Sequence, residues 1–295
     1  MPRINKEDIL KIAKNDIIEL FDNLPSKILK YSNLETILLI NRKNWRVTTT
    51  TTVNEFISFL LDQTKLKEAK LNFPYRPELR YIWGEVSNYE LIMSLRPDSY
   101  FTHYTAMYLH EITEQIPNTF YLNYEQSPKR KHKENLEQDR IDSAFKRPVR
   151  SSKNIAFYNN FKICLLNGMY TGKLGVVEIL GLQREKIRVT NIERTLIDIT
   201  VRPEYSGGVF EVLKAFQFAH DNVSINKLTA MFKKLDYTYP YHQAIGFYLE
   251  KAGVYNQSQI DLLCKFDFEF DFYLTHQMKE TDYSKKWRLY YPKGL

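Results

Sequence analysis

Two histidines, His103 and His110, stand seven residues apart in Tyr100-Phe-Thr-His-Tyr-Thr-Ala-Met-Tyr-Leu-His110, a spacing that puts both on one helix face two turns apart. Zinc holds its nitrogens about 2.0–2.1 Å away in a tetrahedron, so this pair alone cannot share an ion and structural histidines are expected. In Glu193-Arg194-Thr-Leu-Ile-Asp198, Arg194 and Asp198 fall at i and i+4. Such a set is a catalytic pair of carboxylates or an internal ion pair; with no base, nucleophile or metal partner beside it, the ion pair is the better reading. Gly207-Gly208 ahead of a helix could cradle a phosphate, but the Lys-Ser/Thr of a P-loop is missing, and a tight turn is expected. Asp267, Glu269 and Asp271 alternate with phenylalanines and would project from one strand face about 7 Å apart, more a solvated face than an ion site or an acidic contact for a basic partner. Cys164 and Cys264 are too few for a disulfide framework or a four-cysteine zinc site, and both are expected buried and reduced. No nucleophile elbow, His-Glu-x-x-His, Walker A or dinucleotide fingerprint occurs, so no enzyme, cofactor or metal is signalled.

The basic side chains carry a different chemistry, neutralisation of phosphate. The chain has 42 Lys and Arg against 35 Asp and Glu, a net charge of +7. From Lys27 to Arg80 ten cations face five carboxylates. A second basic zone runs through Lys129-Arg-Lys-His-Lys133, Arg140, Lys146, Arg147 and Arg150. In the first zone Arg42, Lys43, Arg46, Tyr75 and Arg76 are expected to hold a nucleic-acid backbone. Thr50, Thr51, Asn54 and Ser58 supply the hydroxyl and amide groups that read base edges. Glu55 and Asp62 face the same way and oppose this unless they pair with Lys65 or read a cytosine.

The elements that position these residues follow from periodicity. Apolar residues at helical spacing predict one helix over 7–24, ended by Pro25, and a second opened by the capping box Ser32/Glu35. A third helix follows the box Thr52/Glu55 and is apolar at Val53, Phe56, Ile57, Leu60 and Leu61. Strand-like stretches at 66–71 and 79–83 flank the turn Pro74-Tyr-Arg-Pro77. Three helices and a hairpin are the winged helix-turn-helix arrangement, with 51–64 as recognition helix and Tyr75-Arg76 as wing tip.

Beyond residue 86 the pattern mixes helices and strands without a βαβ rhythm, so the fold class is α+β, an N-terminal winged helix (1–86) followed by a larger C-terminal domain (87–295). Strands are expected at 120–124, 157–163, 176–180, 187–190 and 266–272, helices at 192–200, 209–219 and 241–252, and a polar, basic exposed loop at 127–153. No apolar run approaches the roughly 18 to 20 residues of a membrane span, and the N-terminus does not read as a secretory signal, so a cytoplasmic protein without membrane contact is expected.

With these residues in view, the chain resembles the AbiEi family, antitoxins of type IV toxin-antitoxin systems linked to abortive phage infection. The likeness runs over roughly 5–250. It rests on the helix around His103 and His110, similar to the family's Ser-His-x-Ser-Ala-x-x-Leu-His, on Val189-Thr-Asn-Ile-Glu193-Arg194-Thr-Leu-Ile-Asp198, and on Arg202-Pro-Glu-Tyr-Ser-Gly-Gly208. Thr102 and Thr105 stand where serines are usual, and Glu111 where glycine is. The resemblance implies an autorepressor that binds inverted operator repeats through its winged helix. It also implies a C-terminal domain that counters a nucleotidyltransferase-like toxin without a stable complex. The alternative is a metal-dependent nucleic-acid-processing enzyme using Glu193 and Asp198.

Overall fold

The structure is a computed structural model and describes residues 5–128 and 136–295. The basic run Lys129 to Lys133 lies outside the described residues. The chain divides into two compact units, one through Pro97 that also takes in Ala156–Tyr158 and Leu182–Glu185, and one made of the rest. The sequence pattern put its boundary at 86.

In the first unit the order is α1 (Lys6–Ile12), α2 (Lys14–Asp22), β1 (Ile28–Leu29), α3 (Tyr31–Asn41), α4 (Val53–Gln63), β2 (Leu66–Leu71), β3 (Glu78–Trp83) and α5 (Asn88–Met93). The single helix expected over 7–24 is two, because the backbone at Ala13 turns to φ −81°, ψ 0°. Helix α3 begins ahead of Ser32: the Asn33 side chain accepts from the Lys30 amide at 2.8 Å and fixes the first turn there. Antiparallel strands form the sheet β1-β3-β2. Ile17, Phe21, Leu34, Leu38, Phe56, Leu60 and Trp83 make a core of their own, with the Phe21 and Trp83 rings 4.6 Å apart.

Further along the chain come β4 (Tyr100–Phe101), α6 (His103–Leu109), β5 (Thr119–Glu125), α7 (Gln138–Lys146), β6 (Ile155–Tyr158), β7 (Phe161–Gly168), β8 (Val176–Leu180), β9 (Lys186–Thr190) and α8 (Ile192–Val201), all of the second unit but for Ala156–Tyr158 of β6. A 3-10 turn (Pro203–Tyr205) leads to α9 (Val209–Phe218), α10 (Ile225–Leu235), α11 (Tyr241–Ala252), α12 (Gln257–Ile260), β10 (Phe272–Tyr273), β11 (Thr281–Ser284) and β12 (Leu289–Pro292). The main sheet is mixed, in the order β6-β7-β5-β4-β9-β8, and a small sheet runs β10-β12-β11. Helices α8 to α11 carry most of the core, including Leu196, Ile197, Val212, Phe216, Leu228, Ile245 and Leu249. The fold is mixed α+β. Among the described residues no helix is long and apolar enough to cross a membrane.

Four expectations are corrected. The exposed loop over 127–153 contains α7, whose Ile141 and Phe145 are buried, because two apolar residues four apart suffice to seat one face of a helix. The strand at 157–163 is a hairpin, turned at Asn159, which takes φ +49°. Phe266 to Asp271 forms no strand; its phenylalanines still pack on the core while Asp267 and Glu269 stay exposed, so the alternation reports burial and not sheet pairing. Cys264 is exposed, whereas Cys164 is buried as expected, its thiol pushed up to about 11 by burial.

Candidate functional site

Of the candidate nucleic-acid residues, Arg42, Lys43, Arg46, Thr50 and Thr51 precede α4 and Asn54 and Ser58 lie on it, while Tyr75 and Arg76 stand in the β2–β3 turn. The N-terminus of α4 is closed by a reciprocal cap: the Glu55 amide donates to the Thr52 hydroxyl at 3.2 Å and the Thr52 amide to the Glu55 carboxylate at 2.7 Å. Lys6 adds an ion pair to Glu55 at 3.1 Å and a hydrogen bond to the Thr50 carbonyl at 2.8 Å. The Thr52 backbone and then Lys6 hold the Glu55 carboxyl below the usual range. The acid that argued against phosphate contact is thus engaged internally.

The helix buries Phe56, Ile57, Phe59 and Leu60 and leaves Asn54 and Ser58 exposed. Lys43, Arg46 and Thr50 are exposed before it, and Tyr75 and Arg76 at the β2–β3 turn. Two of the predicted contacts are internal instead. Thr51 is only 2% exposed and its hydroxyl lies 3.0 Å from that of Thr48, so it is sealed away from any base edge. The Arg42 guanidinium donates to the Thr48 and Thr51 carbonyls and holds this turn together.

The basic excess also thins on inspection. Lys27 donates to the carbonyls of Phe21, Asp22 and Leu24 at the end of α2, Lys65 pairs with Asp22, Lys67 with Glu85, and buried Arg80 with Glu78. Lys43, Arg46, Lys70 and Arg76 have no ion pair among the described residues.

In the second unit α8 carries the Glu193-to-Asp198 segment. Asn191 caps it, its side chain accepting from the Arg194 amide at 2.9 Å, and eight consecutive residues from Glu193 to Thr200 are buried. Arg194 Nε donates to Asp198 Oδ1 at 2.7 Å, the predicted i, i+4 ion pair. Thr102 Oγ1 donates to the other oxygen, Oδ2, at 3.0 Å. Arg194 Nη1 reaches the Leu174 carbonyl at 2.8 Å and Thr171 Oγ1 at 3.3 Å. That approach depends on Gly175, which takes φ +76° and where a Cβ would come within 2.8 Å of Arg194 Cβ. Burial works against the Arg194 charge, and Asp198 more than restores it. Thr171 and Tyr100 both donate to Glu125, and Asn123 donates to the Tyr100 hydroxyl at 2.7 Å, extending the network along β5.

Thr102, Asn123, Thr171, Arg194 and Asp198 line a cavity of about 450 Å³, as do His103, Arg150, Arg202, Tyr205 and Tyr237. His103, Arg194, Asp198 and Arg202 come together here, four of the six residues singled out in the second domain. His110 and Glu193 do not. His110 ends α6 with Nε2 2.5 Å from the Thr190 carbonyl, and Glu193 accepts from the Ser224 amide at 3.2 Å. His103 opens α6 at φ +53°, a backbone region costly for a residue with a Cβ, and its ring meets Tyr205 edge-on with centroids 5.3 Å apart. Burial pushes its imidazole down to about 4, Asp198 offsetting part of the fall, so the ring is neutral at neutral pH. Its Nδ1 is buried without a partner.

Thr105 accepts from the Tyr121 amide at 2.8 Å, and Glu111 sits at φ +57°, a region glycine enters freely. Sequence reasoning missed Asn123, Thr171, Tyr205 and Tyr237, which reach the cavity from separate strands and turns with no shared local motif. Arg150 was noted only as part of a basic run. No grouping of three His, Cys, Asp or Glu fit to hold a metal occurs among the described residues.

No protein-family profile matches the chain, and no curated protein does. Among solved structures the chain is similar to the RV2827C protein from Mycobacterium tuberculosis, at 12% identity and a TM-score of 0.61, over 98% of this chain and 92% of that one, a likeness of fold.

Proposed function

We propose that the protein is a DNA-binding transcriptional autorepressor and antitoxin of the AbiEi kind, cytoplasmic, binding inverted operator repeats through its first unit and countering a nucleotidyltransferase-like toxin through its second. In this reading α3, α4 and the β2–β3 hairpin work as a winged helix-turn-helix, with α4 as the recognition helix. The observation that carries it is the exposed flank of α4. Asn54 and Ser58 stand bare on it, with unpaired Lys43 and Arg46 before it and Tyr75 and Arg76 at the hairpin tip. A helix that buries one stripe and leaves amide and hydroxyl groups free beside cations is equipped for base edges and phosphates. The antitoxin half rests on the motif likeness around His103 and Asp198. The metal-dependent alternative draws little from the geometry, because both Asp198 oxygens are already bonded and Glu193 is bonded elsewhere.

The test is an anisotropy titration of the full chain against the DNA upstream of its reading frame, at several salt concentrations, with scrambled DNA as control. Selective binding with a steep salt dependence is expected. Lys43→Ala and Arg46→Ala should each lower the slope of log K on log salt by about 0.9 if each side chain neutralises one phosphate. Arg42→Ala should act on stability instead. Equal binding to scrambled DNA, or a flat salt response, overturns the reading.

A further inference from the structure

We propose that the cavity of the second unit is a binding site for a small phosphate-bearing molecule of about mononucleotide size. Its charge is the first argument. Arg150, Arg194 and Arg202 line it against one carboxylate among the described residues, that of Asp198. Asp198 is matched to Arg194 and Glu204 forms an ion pair with Arg202 at 3.6 Å, too far for a hydrogen bond, while Arg150 has no ion pair among the described residues. A phosphomonoester brings three strong acceptor oxygens to three guanidinium groups, whereas a carboxylate brings two.

Unspent donors are the second argument. Arg194 uses Nε and Nη1 internally, and its Nη2 makes no hydrogen bond among the described residues. His103 is more than nine-tenths buried on the cavity wall, with a ring nitrogen that has no partner. A buried polar atom without a partner is costly, and it is held here by a backbone at positive φ. Nδ1 itself is closed off from the open space of the cavity, so the donors left to a ligand are Arg194 Nη2 and the Arg150 and Arg202 side chains.

Size is the third argument. At about 450 Å³ the cavity lies within the range of small-molecule sites, roughly 300–1,000 Å³, and is many times larger than phosphate itself needs. The phosphate therefore carries a body, for which the rings of Tyr205 and Tyr237 offer flat walls. Nothing in this argument uses the first unit, so the site stands or falls apart from DNA binding.

The experiment is isothermal titration of the full chain with the four ribonucleoside 5′-monophosphates, the parent nucleosides and inorganic phosphate. It is repeated on Arg150→Gln, Arg202→Gln and, as a control at an exposed position of α10 away from the cavity, Lys227→Ala. Arg150 and Arg202 are not buried, so both variants should fold, which circular dichroism checks. At least one monophosphate should bind tenfold or more tightly than its nucleoside, with inorganic phosphate competing. Each arginine variant should weaken it about tenfold and Lys227→Ala should leave it unchanged. The proposal is overturned if no phosphate-bearing probe binds, if nucleosides bind as tightly as monophosphates, or if the arginine variants bind like the parent chain.

Discussion

At the start of α4 the Thr52 hydroxyl accepts from the amide of the residue three positions on, and at the start of α8 the Asn191 carboxamide does the same. The two helices then part company. Helix α4 buries four residues and leaves its polar side chains to solvent, whereas α8 buries eight in succession, an arginine and two carboxylates among them. Local signals therefore decide where a helix begins, but its surroundings decide what its polar groups can do. The free side chains of α4 suit a large, hydrated partner whose contacts form and dissolve with salt. The charges of α8 are committed to each other and to cavity walls, so they serve as fixed architecture that a small ligand can join.

The sharpest way to break this comparison is to remove one partner from each helix. Asp198→Ala leaves the Arg194 charge buried and unpaired and should cost about 3–5 kcal/mol in chemical denaturation, the largest effect foreseen. The double variant Arg194→Leu, Asp198→Leu should lose less than the single one, since no charge is then stranded. A single-variant loss below 1 kcal/mol would show that α8 is as open to water as α4.

Acid offers a second contrast, intermediate in size. His103 and His242 are pushed by burial from an ordinary 6.5 down to about 4, and both belong to the second unit. Between those values the unfolded chain binds protons that the folded one refuses, so stability should fall as pH drops from 6.5 towards 4. Glu204, raised by burial, works in the opposite direction and shallows the slope. His103→Gln should flatten the pH dependence of unfolding, and an unchanged profile would mean that the ring is hydrated in the folded state. The smallest effect belongs to the open helix: Thr52→Ala should cost about 1 kcal/mol, the usual worth of an N-cap, read as a shift in melting temperature.

How far this was legible in the sequence follows the same divide. The Thr52/Glu55 box, the hairpin 66–83 and the helix 241–252 are written in neighbouring residues, and the structure has them where the pattern put them. The Arg194–Asp198 pair was visible because i, i+4 spacing is itself a local rule. Strand β4 is two residues long and exists only through its neighbours, and α10, amphipathic but preceded by no strong apolar run, went unread. The cavity was invisible for a similar reason. Thr102 meets Asp198 across 96 residues of sequence, a distance that no periodicity spans.

Strand β4 has a consequence for the order in which the second unit is made. It pairs with β5 on one side and, near Val189, with β9 on the other, so the middle of the sheet joins segments almost ninety residues apart. A chain emerging from the ribosome has Tyr100 and His103 long before it has Arg194 or Arg202. Contacts of such separation form slowly. Until α8 is synthesised, the residues around His103 lack the wall they pack against, and the apolar faces of β4 and β5 await theirs. The unit is therefore most exposed to proteolysis and to wrong pairings during that interval, and a ligand that bridges the early and late walls would shorten it by holding them together.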